Sequence, residues 1–320
     1  MVMLHPKTDL ANQPTLFEDL SGTSTMNFAN PYDALISSCH GDPAEIQARY
    51  STHRTTRNAQ QKAKLLASDF PGVSIDPILD KLMHQGIEPG YVDPRHCLVF
   101  WARPTQRVKN LVAEVQRRLR EAAPNLWLMA PENLHLTALE ITHSQTAPVI
   151  ASLVETMRAK IPEITDFTFG HRARLVKPAL GFDASAIALS FVPAAGEALA
   201  SSTERTSKDD AYSYHHLRRD LYALCKSTGV EVASRYTVPS AHLTVARFVT
   251  TADTEAGMQR LVQAFEEINA WLESEYWPKA ETGTIRDGGG WIVGEEKGLT
   301  LRHGTVWYGG GDSARVGKGF

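Results

Sequence analysis

The chain has 320 residues, of which 42% are hydrophobic and 22% charged, as in an ordinary globular protein with room for one large domain or two modest ones. Its formal net charge is −3. Proteins that wrap long nucleic acids usually carry a basic excess, so the charge argues against long duplexes as a partner and leaves a nucleotide or an RNA end.

The first 90 residues are predicted to form an N-terminal arm and a helical extension. Residues 1 to about 30 are rich in Ser, Thr, Asn and Pro, which is typical of a poorly ordered arm or a surface wrap. Asp42-Pro43 and Asp76-Pro77 each place a helix-capping side chain before a proline at the first helical position. Two helices are therefore expected, the second ending at Gly86.

From residue 91 the pattern becomes mixed, and we predict one α+β domain over residues 91–310, followed by a tail at 311–320. Strands are predicted at 96–103, 126–129, 134–141, 167–176, 187–192 and 238–249, and helices at 105–122, 148–160, 212–227 and 254–273. The segment 291–311 is predicted to close the domain as a β-hairpin, with Trp291 and Trp307 as cross-strand partners. The order strand, helix, strand, strand, helix occurs twice, which suggests an internal duplication and a largely antiparallel sheet structure.

The tripeptide His-Leu-Thr occurs at residues 135–137 and again at 242–244. Two further matches to His-x-Thr begin at His53 and His303, so the pattern alone is weak and its context must select. In a strand, residues i and i+2 share a face, and both His-Leu-Thr tripeptides lie in apolar strand patterns that can present His and Thr together. His53 lies in a polar stretch and His303 in a glycine-punctuated hairpin, and we exclude both as catalytic residues.

Two such pairs suit acid–base chemistry at phosphorus. Histidine titrates near pH 6.5, so His135 and His242 can supply one acid and one base on opposite sides of a phosphoryl group. The hydroxyls of Thr137 and Thr244 can donate to its non-bridging oxygens. This scheme needs no metal or other cofactor, and the sequence shows no cluster with metal-ligand spacing. We interpret His242 as the base that activates water and His135 as the acid, although the assignment depends on which ribose oxygen leaves.

The two motifs resemble those of the 2H phosphoesterase superfamily, which includes 2′-5′ RNA ligase-like proteins, cyclic nucleotide phosphodiesterases and a eukaryotic RNA 3′-end trimming enzyme. The segment AHLTVARF is similar to the HxTLAR pattern of the ligase-like branch, and the closing segment resembles that of fungal members. The resemblance covers roughly residues 95–310. It implies a bilobal, pseudo-two-fold fold in which two antiparallel sheets flanked by helices carry one HxT strand each and face a central cleft.

The resemblance also adds two residues to the candidate site. It makes Arg247 a phosphate-binding candidate, although on an ideal strand Arg247 would face away from His242 unless a bulge or the strand end re-aims it. Tyr236, six residues before His242, is a candidate for stacking on a nucleobase, with simple packing as the alternative.

The expected activity is metal-independent hydrolysis of 2′,3′-cyclic phosphates of nucleotides or RNA ends. A 3′-5′ RNA exonuclease and a 2′-5′ RNA ligase could use the same residues, and a non-catalytic nucleotide- or RNA-binding module is the alternative of another class. The three scattered cysteines form no CxxC pair, which favours a reduced protein. With no secretory signal or transmembrane segment evident, we expect a monomer in the cytoplasm or nucleus without a membrane partner.

Overall fold

The computed structural model describes residues 17–23, 28–86, 88–197, 206–234, 236–254, 257–279 and 282–320. Most of the predicted arm lies outside the described residues. The described chain is α+β, with two antiparallel sheets flanked by helices, as the sequence predicts at this level. No helix in this part of the chain is long and apolar enough to cross a membrane.

The elements follow one another along the chain as mixed helices and strands. The helices are α1 (Asp33–Ser38), α2 (Pro43–Leu66), α3 (Pro77–Met83), α4 (Gln106–Ala122), α5 (Ala147–Met157), α6 (Ile161–Asp166), α7 (Tyr214–Lys226) and α8 (Met258–Tyr276). The strands are β1 (His96–Ala102), β2 (Trp127–Leu128), β3 (Leu136–Gln145), β4 (Arg174–Phe182), β5 (Ala186–Pro193), β6 (Ala241–Arg247), β7 (Gly290–Ile292), β8 (Thr300–Gly304) and β9 (Asp312–Val316).

Each sheet carries one His-Leu-Thr tripeptide. The first sheet has the strand order β3-β1-β8-β9, and the second has the order β2-β6-β5-β4-β7. The first tripeptide enters β3, which is an edge strand, and the second lies within β6. Strands β3 and β6 lie beside each other where the two sheets meet. The two tripeptides, distant in sequence, are therefore brought to one place by the junction of the sheets.

Strand β1 is buried on both faces, which explains its unbroken apolar sequence. Alternate residues point to opposite faces of a strand. One set packs in the main core: Leu98, Phe100 and Ala102. The other forms a small second cluster together with Val306: Cys97, Val99 and Trp101. This second cluster forms one wall of the candidate site.

The N-terminal helices begin as predicted. Asp42 caps α2 by accepting hydrogen bonds from the backbone N–H groups of Ala44 and Glu45, and Asp76 caps α3 in the same way. Helix α3 ends at Met83, before the predicted end at Gly86. Helix α2 packs on β4, β5 and α8, and its buried side chains belong to the same hydrophobic core as both sheets.

The strand predicted at 167–176 is wrong in its first half. The helix predicted at 148–160 ends before Pro162, but Pro162 lies in the first turn of α6. Backbone N–H groups in the first turn make no intrahelical hydrogen bond, so a proline is tolerated there. Helical structure therefore continues to Asp166 and through a 3₁₀ turn at Phe167–Phe169. Strand β4 begins only at Arg174 and runs on to Phe182.

The predicted pairing of Trp291 with Trp307 is also wrong. Trp291 lies on β7 opposite Leu175 in the second sheet, whereas Trp307 packs against the small cluster of the first sheet. The chain crosses between the sheets at Gly294, whose positive φ of 84° and close approach to Thr168 leave no room for a side chain. The hairpin that does form pairs β8 with β9, so the segment assigned to a tail contains an edge strand.

Candidate active site

Both His-Leu-Thr tripeptides line a single cavity of about 80 Å³ between the two sheets. The first sheet contributes His135 and Thr137, and the second contributes His242 and Thr244. The other lining residues are Cys97, Val99, Trp101, Glu140, Tyr236, Arg247, Val306 and Trp307. The structure therefore brings together all six residues that the sequence selects.

A β-bulge follows each tripeptide and re-aims the side chain three residues after its threonine. In the pairing of β3 with β1, Trp101 is opposite Thr137 but the next residue, Phe100, is opposite Leu139, so Ala138 is extra. The pairing of β6 with β5 leaves Val245 extra in the same way. A single inserted residue inverts the alternation beyond it. Glu140 and Arg247 consequently face the cavity, so a bulge re-aims Arg247, which would point away on an ideal strand.

His135 is held against Trp101 in one orientation. Its imidazole stacks on the indole with ring centroids 3.7 Å apart and an interplanar angle of 15°. Its Nδ1 lies 2.7 Å from the carbonyl oxygen of Asn133. Burial lowers the pKa of His135 to about 3, and the charges of Arg103 and Arg302, which lie over the Trp101 ring, act in the same direction. His135 is therefore neutral in the empty site at pH 7.

His242 has a different partner. Its Nδ1 lies 2.9 Å from the hydroxyl of Ser240, and the ring of Tyr236 packs beside it at 5.8 Å between centroids. Burial is the main cause that lowers the pKa of His242 to about 4, and the guanidinium groups of Arg57 and Arg218 lower it further. The pKa of His135 is also lowered by His242, as expected for two imidazoles at one small site.

Arg247 supplies a cation that forms no ion pair within the described residues, although its charge helps to lower the pKa of Asp76. Its Nε is buried and has no hydrogen-bond acceptor within the described residues. Its guanidinium lies 5.7 Å from the centre of the Tyr308 ring. A buried donor without an acceptor is costly, and an anionic ligand in the cavity would satisfy it.

A second cavity of about 450 Å³ adjoins the first on the side of β6. Helix α2 forms much of its wall, through side chains on one helical face: Tyr50, His53, Arg54, Arg57, Asn58 and Gln61. His53 is only 5% exposed, and its Nδ1 accepts a hydrogen bond from the N–H of Leu20. The polar sequence around His53 argues against a catalytic role for this residue, and the structure places His53 in the wall of the larger cavity. The recurrence of these polar residues at helical spacing is the signal that could have indicated a shared wall.

Arg218 ties the two motif strands together from behind. It is 1% exposed. Its guanidinium donates to the carbonyl of Ala138 in β3 at 3.3 Å and to that of Val238, just before β6, at 2.8 Å. On the same helix, α7, the hydroxyl of Tyr214 donates to the carbonyl of Thr137. One helix thus fixes the relative position of the two half-sites.

The remaining His-x-Thr match lies elsewhere. His303 is on β8 opposite Leu98, on the face that packs toward the main core rather than on the cavity face. No three His, Cys, Asp or Glu side chains of the described residues converge to hold a metal ion.

Comparisons with known proteins do not identify a family. No protein-family model matches the chain, and no curated protein does. Among solved structures, one similar chain is the crystal structure of ATU0111, a conserved protein of unknown function from Agrobacterium tumefaciens strain C58. It shares 13% sequence identity over 67% of this chain and 83% of its own, with a TM-score of 0.39. At that score a common fold is not established.

Proposed function

We propose that the protein is a metal-independent phosphodiesterase that hydrolyses 2′,3′-cyclic phosphates of nucleotides or RNA ends by two-histidine acid–base catalysis. The observation that carries this proposal is the convergence of His135 and His242, from two different sheets, on one small cavity. General acid–base catalysis needs both partners within hydrogen-bonding reach of one reacting centre. A cavity of this volume has room for a phosphoryl group.

The cavity also supports binding of the phosphoryl group. Thr137 and Thr244 stand beside the two histidines, and Arg247, whose Nε is buried and unsatisfied, lines the same cavity. Preorganised donors of this kind stabilise the charge that grows on non-bridging oxygens in the transition state. Such a site offers an anion fixed dipoles and one cation on the β6 side, with the Glu140 side chain on the β3 side.

The protonation states fit an anionic substrate. Burial holds the pKa of both histidines far below the usual value, so both are neutral in the empty site near pH 7. A bound phosphodiester anion favours a neighbouring imidazolium, because an opposite charge within a few ångströms raises the pKa of a histidine. Substrate binding therefore brings one proton into the site and creates the acid–base pair.

The test is the hydrolysis of 2′,3′-cyclic mononucleotides and of RNA with a cyclic phosphate end, in the presence and absence of EDTA. His135→Ala and His242→Ala are each expected to lower turnover by about 10²–10⁴-fold, while EDTA has no effect. His303→Ala is the matched control, because it removes a strand histidine with the same tripeptide pattern that faces the core. Unchanged hydrolysis in both cavity variants, with folding verified by circular dichroism, would overturn the proposal.

Product analysis distinguishes the related reactions. Ring opening yields a phosphomonoester on the same nucleoside. A 3′-5′ exonuclease would instead release mononucleotides from the RNA end, and a ligase would join two ends.

A further inference from the structure

The two cavities differ in the motif histidines that line them: the smaller cavity is lined by both His135 and His242, and the larger one by His242 but not by His135. The larger one reaches the β6 half of the site and shares five residues with the smaller: Tyr236, His242, Thr244, Arg247 and Trp307. His135 and Thr137 line only the smaller cavity. Any part of a ligand that is bigger than a phosphoryl group therefore has more space beside His242 than beside His135.

The His135 side is lined by tightly packed side chains. Trp101 covers one face of the imidazole and is 1% exposed. The neighbouring walls, Cys97, Val99 and Val306, are all buried. The space on this side is about 80 Å³, against about 450 Å³ in the larger cavity, so the larger cavity is the better fit for a nucleoside.

We infer that the larger cavity binds the organic group of the substrate, so that the leaving oxygen faces His242 as the acid and water is activated by His135 as the base. This inference rests on the proposed phosphodiesterase activity. It reverses the roles that we drew from the sequence. It also assigns helix α2, outside the segment that resembles known phosphoesterases, to the binding of that organic group.

The hydrogen bonds of the two rings support these roles. A carbonyl oxygen can only accept, so His135 Nδ1 carries the proton that it donates to Asn133. Neutral His135 therefore presents an unprotonated Nε2, which is the form a base requires. The Ser240 hydroxyl beside His242 Nδ1 can donate or accept, so His242 keeps this hydrogen bond both as a neutral ring and as an imidazolium.

The step balances without a further reactant. The water oxygen forms a bond to phosphorus as the bond from phosphorus to one ribose oxygen breaks. The water proton passes to His135, and the imidazolium of His242 gives its proton to the departing ribose oxygen. The product is a phosphomonoester beside a free hydroxyl, and proton exchange with solvent restores both rings.

The larger cavity also defines the class of organic group. About 450 Å³ is within the range of pockets that bind small organic molecules. Its walls combine aromatic side chains with amides and hydroxyls, among them Phe182, Tyr236, Asn58 and Ser185. Of the two arginines that α2 places in this wall, Arg57 is paired with Asp183 at 2.6 Å and Arg54 donates to the carbonyl oxygen of Lys177 at 2.7 Å, so both already have partners. We therefore expect an uncharged group of nucleoside size, with a flat ring and hydrogen-bonding edges.

The decisive experiment replaces the leaving oxygen by sulfur. Cyclic nucleotides with sulfur at the 2′ or the 3′ bridging position expel a thiolate, which leaves without protonation by an acid. With one of these analogues His242→Ala should regain about 100-fold or more of its lost turnover, since it lacks only the acid, whereas His135→Ala should regain none. Rescue of His135→Ala alone, of both variants or of neither would overturn the assignment. The proposed function would fail separately, through undiminished hydrolysis of the ordinary cyclic nucleotide by both variants.

A second experiment tests the α2 wall. Gln61→Trp fills part of the larger cavity, and Ala63→Trp places the same ring on the exposed side of the same helix. We compare kcat/KM for a 2′,3′-cyclic nucleotide with that for ethylene phosphate, a cyclic phosphate without a base. The ratio should fall at least tenfold in Gln61→Trp and stay constant in Ala63→Trp. An unchanged ratio in Gln61→Trp would place the organic group elsewhere.

Discussion

Anion binding should be coupled to proton uptake by the site. The pKa of His135 is lowered to about 3 and that of His242 to about 4, so the empty cavity holds two neutral rings between about pH 7.5 and 5.5. A bound dianion beside Arg247 favours the imidazolium and raises the histidine pKa in the complex. The complex therefore binds more protons than the free protein, so the anion binds more tightly as the pH falls.

The size of this pH dependence follows from the low pKa values of the two histidines in the free protein. Where the free pKa is below the working pH and the bound pKa above it, the Kd falls tenfold for each pH unit. If one histidine, His242, is raised above pH 7.5, lowering the pH from about 7.5 to 5.5 tightens binding about 100-fold, or about 2.7 kcal/mol at 1.36 kcal/mol per unit. If both rings took up a proton, the effect would be up to twice as large in free energy.

Sulfate is the suitable probe, because it is tetrahedral and keeps its double charge over this range. Isothermal titration calorimetry in two buffers with different ionisation enthalpies gives both the Kd and the number of protons taken up. We expect about one proton per sulfate for the unaltered protein and for His303→Gln, and about none for the His135→Gln/His242→Gln double variant. A Kd that does not change with pH, with no proton uptake in either buffer, would refute the reasoning.

Two further predictions concern the arginines of the site. Arg247→Gln should weaken sulfate binding and raise KM by about 10-fold or more, since a hydrogen bond to a charged group contributes about 1.5–3 kcal/mol. The free energy of unfolding should stay within about 0.5 kcal/mol of that of the unaltered protein. A loss of stability without weaker binding would contradict this role. Arg218→Met, which removes a buried charge and its donors to both motif strands, should lower kcat more than it raises KM and should move the NMR titration of His242 upward toward its usual pKa. Arg218→Lys keeps the charge and should keep the low pKa of His242, and an unmoved titration in Arg218→Met would leave this arginine a merely structural role.

Local patterns were sufficient to predict much of this molecule. The helix starts at Asp42-Pro43 and Asp76-Pro77, the buried strand β1 and the amphipathic α4 all depend on neighbouring residues, and the structure has them where the sequence places them. The choice of two His-Leu-Thr tripeptides out of four His-x-Thr matches also depended on local alternation. Each selected tripeptide lies at the cavity between the sheets.

What the sequence could not supply depends on pairing between distant segments. A bulge exists only relative to a partner strand, so the extra residues Ala138 and Val245 leave no local mark. The crossing at Gly294 that separates Trp291 from Trp307 depends on which sheet has a free edge. Likewise, the sequence of a polar helix indicates a solvent-exposed surface until the sheet that the helix covers is known. The sequence alone therefore does not place α2 at the site.

The two half-sites share their geometry but differ in charge. Glu140 and Arg247 each follow their histidine by five residues and their threonine by three, beyond equivalent bulges. One half-site thus presents a buried carboxylate to the cavity and the other a guanidinium. An anionic phosphoryl group is drawn toward the guanidinium, on the β6 side, where the larger cavity opens. Charge and space therefore favour the same orientation of the substrate, with its organic group beside His242.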